Sequence, residues 1–148
     1  MLTARYILAV LHLLALAIGI ASVYARGRSL SRAASEKDLP GIFHADNWYG
    51  AAAIIWVGTG LWRAFGGVEK GTEYYLQSHW FLGKMGLFGL VLLLELLPMI
   101  TLIRWRMARK KGAPIALAKS PQLARLSFAQ VPILLLMVLM AAAMARGI

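Results

Sequence analysis

The chain has no cysteine in its 148 residues. That absence excludes a disulfide framework and any thiolate-bound metal centre. Acidic residues are scarce: six Asp and Glu stand against sixteen Lys and Arg, a formal net charge of +10. No internal repeat is visible. Surface polarity is also short for a soluble protein, since 60% of the residues are hydrophobic and the mean hydropathy is +0.68. A soluble domain of this length has no core large enough for that much apolar surface, whereas a bilayer accommodates it. The basic residues cluster beside apolar runs. That pattern fits membrane topology and anionic head groups at the cytoplasmic face, and argues against nucleic acid as a partner.

A membrane-spanning helix needs about 20 mostly apolar residues. Four windows qualify: 3–24, 48–65, 80–103 and 128–145. They predict an all-α fold, a single membrane domain over residues 1–148 arranged as a four-helix antiparallel bundle, because short connections make sequential spans neighbours. Val23-Tyr24-Ala25 resembles a signal cleavage site. The first apolar run is longer than a signal h-region of about 7–15 residues, and Arg26, Arg28 and Arg32 follow it, so it reads as mature helix.

The positive-inside count is one-sided. Arg26, Arg28, Arg32 and Lys37 follow the first window. Arg104, Arg106, Arg109, Lys110, Lys111, Lys119 and Arg125 follow the third, while Lys70 alone follows the second. Both basic connections are therefore expected in the cytoplasm and both termini outside, in the periplasm, for a multi-pass protein of the bacterial inner membrane. The stretch 33–41, AASEKDLPG, reads as a polar loop broken at Pro40-Gly41. Asp46 or Asn47 is expected to cap the second helix.

Ionisable groups inside a span cost several kcal/mol and are candidates for function by default. His12 lies in mid-span, about 14 Å below the outer surface, with Ala15, Gly19 and Ser22 continuing its face. It is the candidate axial haem or metal ligand; a histidine bonded to a neighbouring helix is the plainer reading. Tyr49, Trp56 and Arg63 share one face of the second span, and Asp46, Ala53 and Gly60 form the adjacent stripe. Arg63 and Lys84 either snorkel to head groups or form a cationic mouth for carboxylates or phosphates. Glu95 lies about three turns after Lys84, beside Pro98, which frees the carbonyl of Leu94 and marks a kink. There it relays a proton, balances an interior cation or bonds a neighbouring helix. Met137, Met140 and Met144 form a stripe, with Met137 about 12 Å deep, near the level of His12. That allows a His/Met haem or a copper site as well as simple core packing.

The connection 68–84 reads VEKGTEYYLQSHWFLGK. Tyr74, Tyr75 and Trp80 are residue types that settle at a membrane interface, and Gly71 permits a tight turn. Glu69 and Glu73 can pair with Lys70 and Arg63. One reading is an interfacial loop; the other is a lid over a pocket floored by His12 and rimmed by Arg63 and Lys84.

The run D46-x2-Y49-G50, G60-x2-R63, E69-K70-G71-x2-Y74-Y75, F81-x2-K84, P98 and R104-W105 resembles an uncharacterised family of small bacterial four-helix membrane proteins. The resemblance covers about residues 46–106, and the LH of the first span also fits. That family is similar to the wider CopD-like group, with its copper-resistance proteins and HemJ-type protoporphyrinogen oxidase. The HemJ likeness implies b-type haem and a functional pair at His12 and Lys84. Where the HemJ type has a further histidine, this chain has Glu95. The expected function is a haem-binding redox protein with His12 as axial ligand and Arg63 and Lys84 toward the propionates. The alternatives are a copper-handling carrier or a non-catalytic subunit, docked as a homo-oligomer or in a larger membrane complex.

Overall fold

The computed structural model describes residues 2–67 and 70–146. Five helices account for most of it: α1 Leu2–Arg32, α2 Leu39–Phe65, α3 Thr72–Gln77, α4 His79–Lys110 and α5 Ser120–Arg146. Single 3-10 turns, Glu36–Asp38 and Leu117–Lys119, lead into α2 and α5. Among the described residues there is no strand.

Helices α1 and α4, and the segment Leu117–Arg146 containing α5, are long and apolar enough to cross a membrane. Helix α2 is long enough but not apolar enough to join that group, because polar and small residues such as His44, Asp46, Asn47, Gly50, Gly58 and Gly60 are spread through it. All the long helices run past the apolar windows. Helix α1 continues for two further turns and carries Arg26, Arg28 and Arg32 with it, so these arginines are helical and do not begin a loop. Asp46 and Asn47 are likewise interior to α2 and cap nothing. Pro40, expected to break the chain, sits in the first turn of α2, where its missing N–H is one of the helix's unbonded donors anyway. Helix α4 continues through Pro98, which is buried.

The helices pair antiparallel. Along α1 and α2, Leu30 meets Leu39 and Ile42, Arg26 meets Asp46, and His12 meets Trp56 and Thr59. Along α4 and α5, Trp105 packs with Leu123 and Ala124, Glu95 bonds Gln130, and Phe81 packs near Met144. Helix α5 closes back on α1, with Tyr24 against Phe128 at 5.7 Å between rings. Helices α2 and α4 meet through long side chains: Trp56–Phe88 at 5.7 Å and Phe65–Phe81 at 6.5 Å.

The core falls into separate layers. Leu30, Leu39, Ile42, Leu102, Trp105 and Leu123 close one end of the bundle. Val23, Tyr49, Trp56, Val91, Leu134 and Met137 fill the middle. At the other end, among the described residues, Ala64, Tyr75 and Phe81 form a small cluster, and there the bundle opens. Most large side chains on the outer faces, such as Ile54, Leu93 and Leu139, are exposed, as expected where lipid is the solvent.

Candidate functional site

At the open end lies a cavity of about 480 Å³. Helix α1 gives it His12, α2 gives Trp56, Gly60 and Arg63, and α4 gives Phe81 and Lys84. Met137 and Met144 of α5 close the far side, and Lys70, Tyr74 and Tyr75 from the connection cover it. The candidates His12, Trp56, Arg63, Lys70, Tyr74, Tyr75, Lys84 and Met137 thus stand around one void, although they come from every helix and are scattered through the sequence.

The hydrogen bonds of His12 define its chemistry. Nδ1 lies 3.0 Å from the Trp56 carbonyl oxygen and 3.0 Å from Thr59 Oγ1. A carbonyl only accepts, so the proton is on Nδ1. The Thr59 hydroxyl can donate to the Ile55 carbonyl, 2.7 Å away, and accept from the imidazole. Nε2 is left with its lone pair. The ring also stacks on the Trp56 indole, 5.7 Å between centroids and 25° between planes. Gly60 provides room for it: a Cβ there would stand 3.0 Å from His12 Cε1, tighter than nearly all real contacts. Trp56 is only 8% exposed, and its Nε1–H has no acceptor among the described residues.

Lys84 and Arg63 line the same cavity as His12. Lys70 donates to the Tyr74 hydroxyl at 3.1 Å and lies 4.5 Å from the centre of its ring. Tyr75 is buried against Phe81, 5.2 Å between rings, which fastens α3 to the start of α4. Gly71, at φ 89°, sits in a backbone region open chiefly to glycine and starts α3. The expected pairing of Glu69 lies outside the described residues. Glu73 lies in the first turn of α3 and is exposed.

Asp46, Tyr49 and Glu95 stand elsewhere, around a residue that sequence reasoning placed in a loop. Arg26 is 0% exposed. Its Nη1 donates to Asp46 Oδ1 at 2.8 Å and Glu95 Oε1 at 2.7 Å, its Nη2 to Glu95 Oε2 at 2.5 Å, and its Nε to Ser127 Oγ at 3.1 Å. The guanidinium lies over the Tyr49 ring, 4.9 Å from its centre. Gln130 donates to Glu95 Oε2 at 2.8 Å and accepts from the Tyr49 hydroxyl at 2.5 Å. Arg106 closes the set on Asp46 Oδ2 at 2.9 Å and donates to Asn47 Oδ1 at 2.8 Å. Two arginines face two carboxylates, and all four long helices contribute.

Glu95 is therefore the counter-ion of Arg26 and a bonding partner of α5. Sequence reading missed Arg26, Arg106, Ser127 and Gln130. The available signal was Glu95 itself, since an acid buried in a span requires a cation within reach. Among the described residues, no cluster of three or more His, Cys, Asp or Glu is placed to hold a metal ion.

Compared with known proteins, residues 4–148 match the family described as "Predicted membrane protein (DUF2214)", and the chain belongs to that family. No curated protein and no solved structure matches it. The membrane assignment follows from the family and the apolar helices; a CopD or HemJ relationship is not among the matches.

Proposed function

We propose that this DUF2214 member is a haem-binding redox protein of the bacterial inner membrane, with His12 as axial ligand. One observation carries the reading. His12 gives its Nδ1 proton to a backbone carbonyl at the wall of a large cavity, the outer-sphere bond that fixes a ligating imidazole with Nε2 available. The other residues fit the same group. Arg63 and Lys84 would pair with its carboxylates, Trp56 and Phe81 would face its ring, and the Met137 thioether would be a further soft donor for the iron. Haem b, when bound, would supply one-electron chemistry. The chain's own part is to hold the imidazole tautomer through Trp56 and Thr59, neutralise the carboxylates and exclude water with Tyr74 and Tyr75.

A copper-handling carrier is the second reading, because His12, Met137 and Met144 line the same cavity and imidazole with thioethers suits Cu(I). The test is an absorption spectrum with metal analysis on protein purified from its native membrane in haem-replete cells. A Soret band that His12→Ala removes, and that His44→Ala and His79→Ala leave, supports haem. Colourless protein enriched in copper favours the carrier. Colourless, metal-free protein that co-purifies with a larger complex favours an accessory subunit.

The same reading makes α2 a fourth span and puts both termini outside. Helix α2 lies along α1 from Leu39 to Gly60, and the basic residues concentrate at the end of the bundle away from the cavity. A membrane-impermeant thiol reagent distinguishes the sides in this cysteine-free chain. Gln77→Cys should label in whole cells and Ala118→Cys should not; both positions are exposed. Ser120 is unsuitable, since at 1% exposure a cysteine there would escape labelling on either side. Labelling of Ala118→Cys and not Gln77→Cys would invert the orientation.

A further inference from the structure

Helices α2 and α4 approach through rings, and the seam between them does not close. A second opening, of about 70 Å³, runs between them and is lined by His12, Trp56, Gly60, Leu61, Lys84 and Met85, among others. It shares His12, Trp56, Gly60 and Lys84 with the main cavity. Its lip is Leu61, Phe65 and Met85, all exposed on the outer face of the bundle. In a membrane that face meets acyl chains. The site therefore has an apolar mouth opening sideways, and behind it two donors without acceptors. No hydrogen bond or ion pair joins Lys84 to another described residue, and the Trp56 Nε1–H is buried with no acceptor. The buried indole N–H costs free energy until an acceptor arrives, and Lys84 lines both openings with no acceptor among the described residues.

We propose that the α2–α4 seam is a binding site for a membrane-dissolved amphiphile with one acidic group, its apolar chain between Leu61 and Met85 and its acid on Lys84. This rests on reading the cavity as a ligand site and is independent of haem. A neutral lipid would leave Lys84 unpaired. A small water-soluble anion would leave the seam unfilled. The two features together select a molecule with a hydrocarbon body and an acidic end, of which a long-chain fatty acid is the simplest example.

The test uses haem-free protein in phosphatidylcholine vesicles. The probes are a diazirine-bearing long-chain fatty acid and its methyl ester, and crosslinks are mapped by mass spectrometry. The acid is expected to label the Leu61, Phe65 and Met85 peptides about tenfold more than the lipid-facing Leu93 and Leu139 positions, the ratio one charge-assisted bond would give. Excess unmodified fatty acid should compete it away. The ester should label all these positions alike. Lys84→Gln should abolish the preference and Lys84→Arg should keep it. Even labelling by the acid, or an equal preference from the ester, overturns the proposal. So does a preference that survives Lys84→Gln; if that variant does not insert, the acid-against-ester comparison decides alone. A missing Soret band would end the haem reading and leave this result untouched.

Discussion

The two ends of this bundle use the same kinds of residue and arrange them in opposite ways. Around Arg26, donors and acceptors match: Asp46, Glu95 and Ser127 take its protons, Gln130 bridges Glu95 to Tyr49, and Arg106 satisfies the other oxygen of Asp46. At the cavity, Lys84 makes no hydrogen bond or ion pair with another described residue, no carboxylate lines the void among the described residues, and the indole N–H of Trp56 lacks an acceptor. A balanced set holds helices together and gains nothing from a visitor. An unbalanced set leaves donors for a ligand to satisfy. Charge inside a span is therefore a weak signal of function by itself; the informative quantity is whether its partners are already in the protein.

The strongest way to break that comparison is to unbalance the closed end. Arg26→Leu leaves the half-buried Glu95 without its cation and Asp46 with Arg106 alone; breaking a buried pair in this way typically costs about 3–5 kcal/mol. Most of the folded population should be lost, measured by unfolding in detergent followed by circular dichroism. Adding Glu95→Leu should recover much of the loss, since replacing a buried ion pair by apolar side chains is often near neutral. If Arg26→Leu unfolds like wild type, the network does not hold the bundle.

An intermediate effect is expected at the open end. Gly60→Ala puts a methyl 3.0 Å from the His12 ring. Either the imidazole leaves the Trp56 carbonyl or α1 and α2 separate; overpacking of this kind costs about 1–3 kcal/mol. Ligand retention should drop well below that of wild type while the protein stays folded and inserted. A Gly60→Ala variant with full retention and an unchanged His12 nitrogen chemical shift would mean that this close approach does not position the ring.

Much of the architecture was legible in the sequence, because apolar length is a coarse signal that survives every local detail. The helical windows, their order and the membrane class all follow from it. Helix ends on the cavity side were legible to within a residue; those at the basic end were not. Apolar runs stop where the lipid stops, whereas α1 and α4 continue into the polar region on backbone hydrogen bonds that do not depend on side-chain polarity. For the same reason Arg26 looked like the start of a loop. Its pairing with Glu95, 69 residues away, depends on which helices become neighbours. The cavity residues were easier to find, since a histidine, an arginine and a lysine in apolar windows are each anomalous. Their convergence follows from antiparallel pairing, which brings the start of α1, the end of α2, the start of α4 and the end of α5 to one side.

The smallest expected effect sharpens the comparison by separating satisfaction from burial. Asp38 is as well bonded as Asp46 but lies in the exposed connection, where it accepts from the Ala34 N–H at 2.9 Å and the Ser35 N–H at 3.0 Å. These donors, Ala34 first, hold its carboxyl below the usual value. A carboxylate with a depressed folded pKa adds stability that is present above its unfolded pKa and is lost as pH falls through the folded one, here below the ordinary carboxylate range. Water screens and replaces both bonds, so the contribution is local. Asp38→Asn should speed amide exchange at Ala34 and Ser35 and leave the unfolding transition where it was. Asp46→Asn, which removes a charge shared by Arg26 and Arg106, should shift that transition clearly. Carboxyl carbon titration by NMR supplies the pH side, with Asp38 titrating below an unstructured aspartate. Were Asp38→Asn as damaging as Asp46→Asn, the number of hydrogen bonds and not their burial would set the cost, and the contrast between the two ends of the bundle would lose its physical basis.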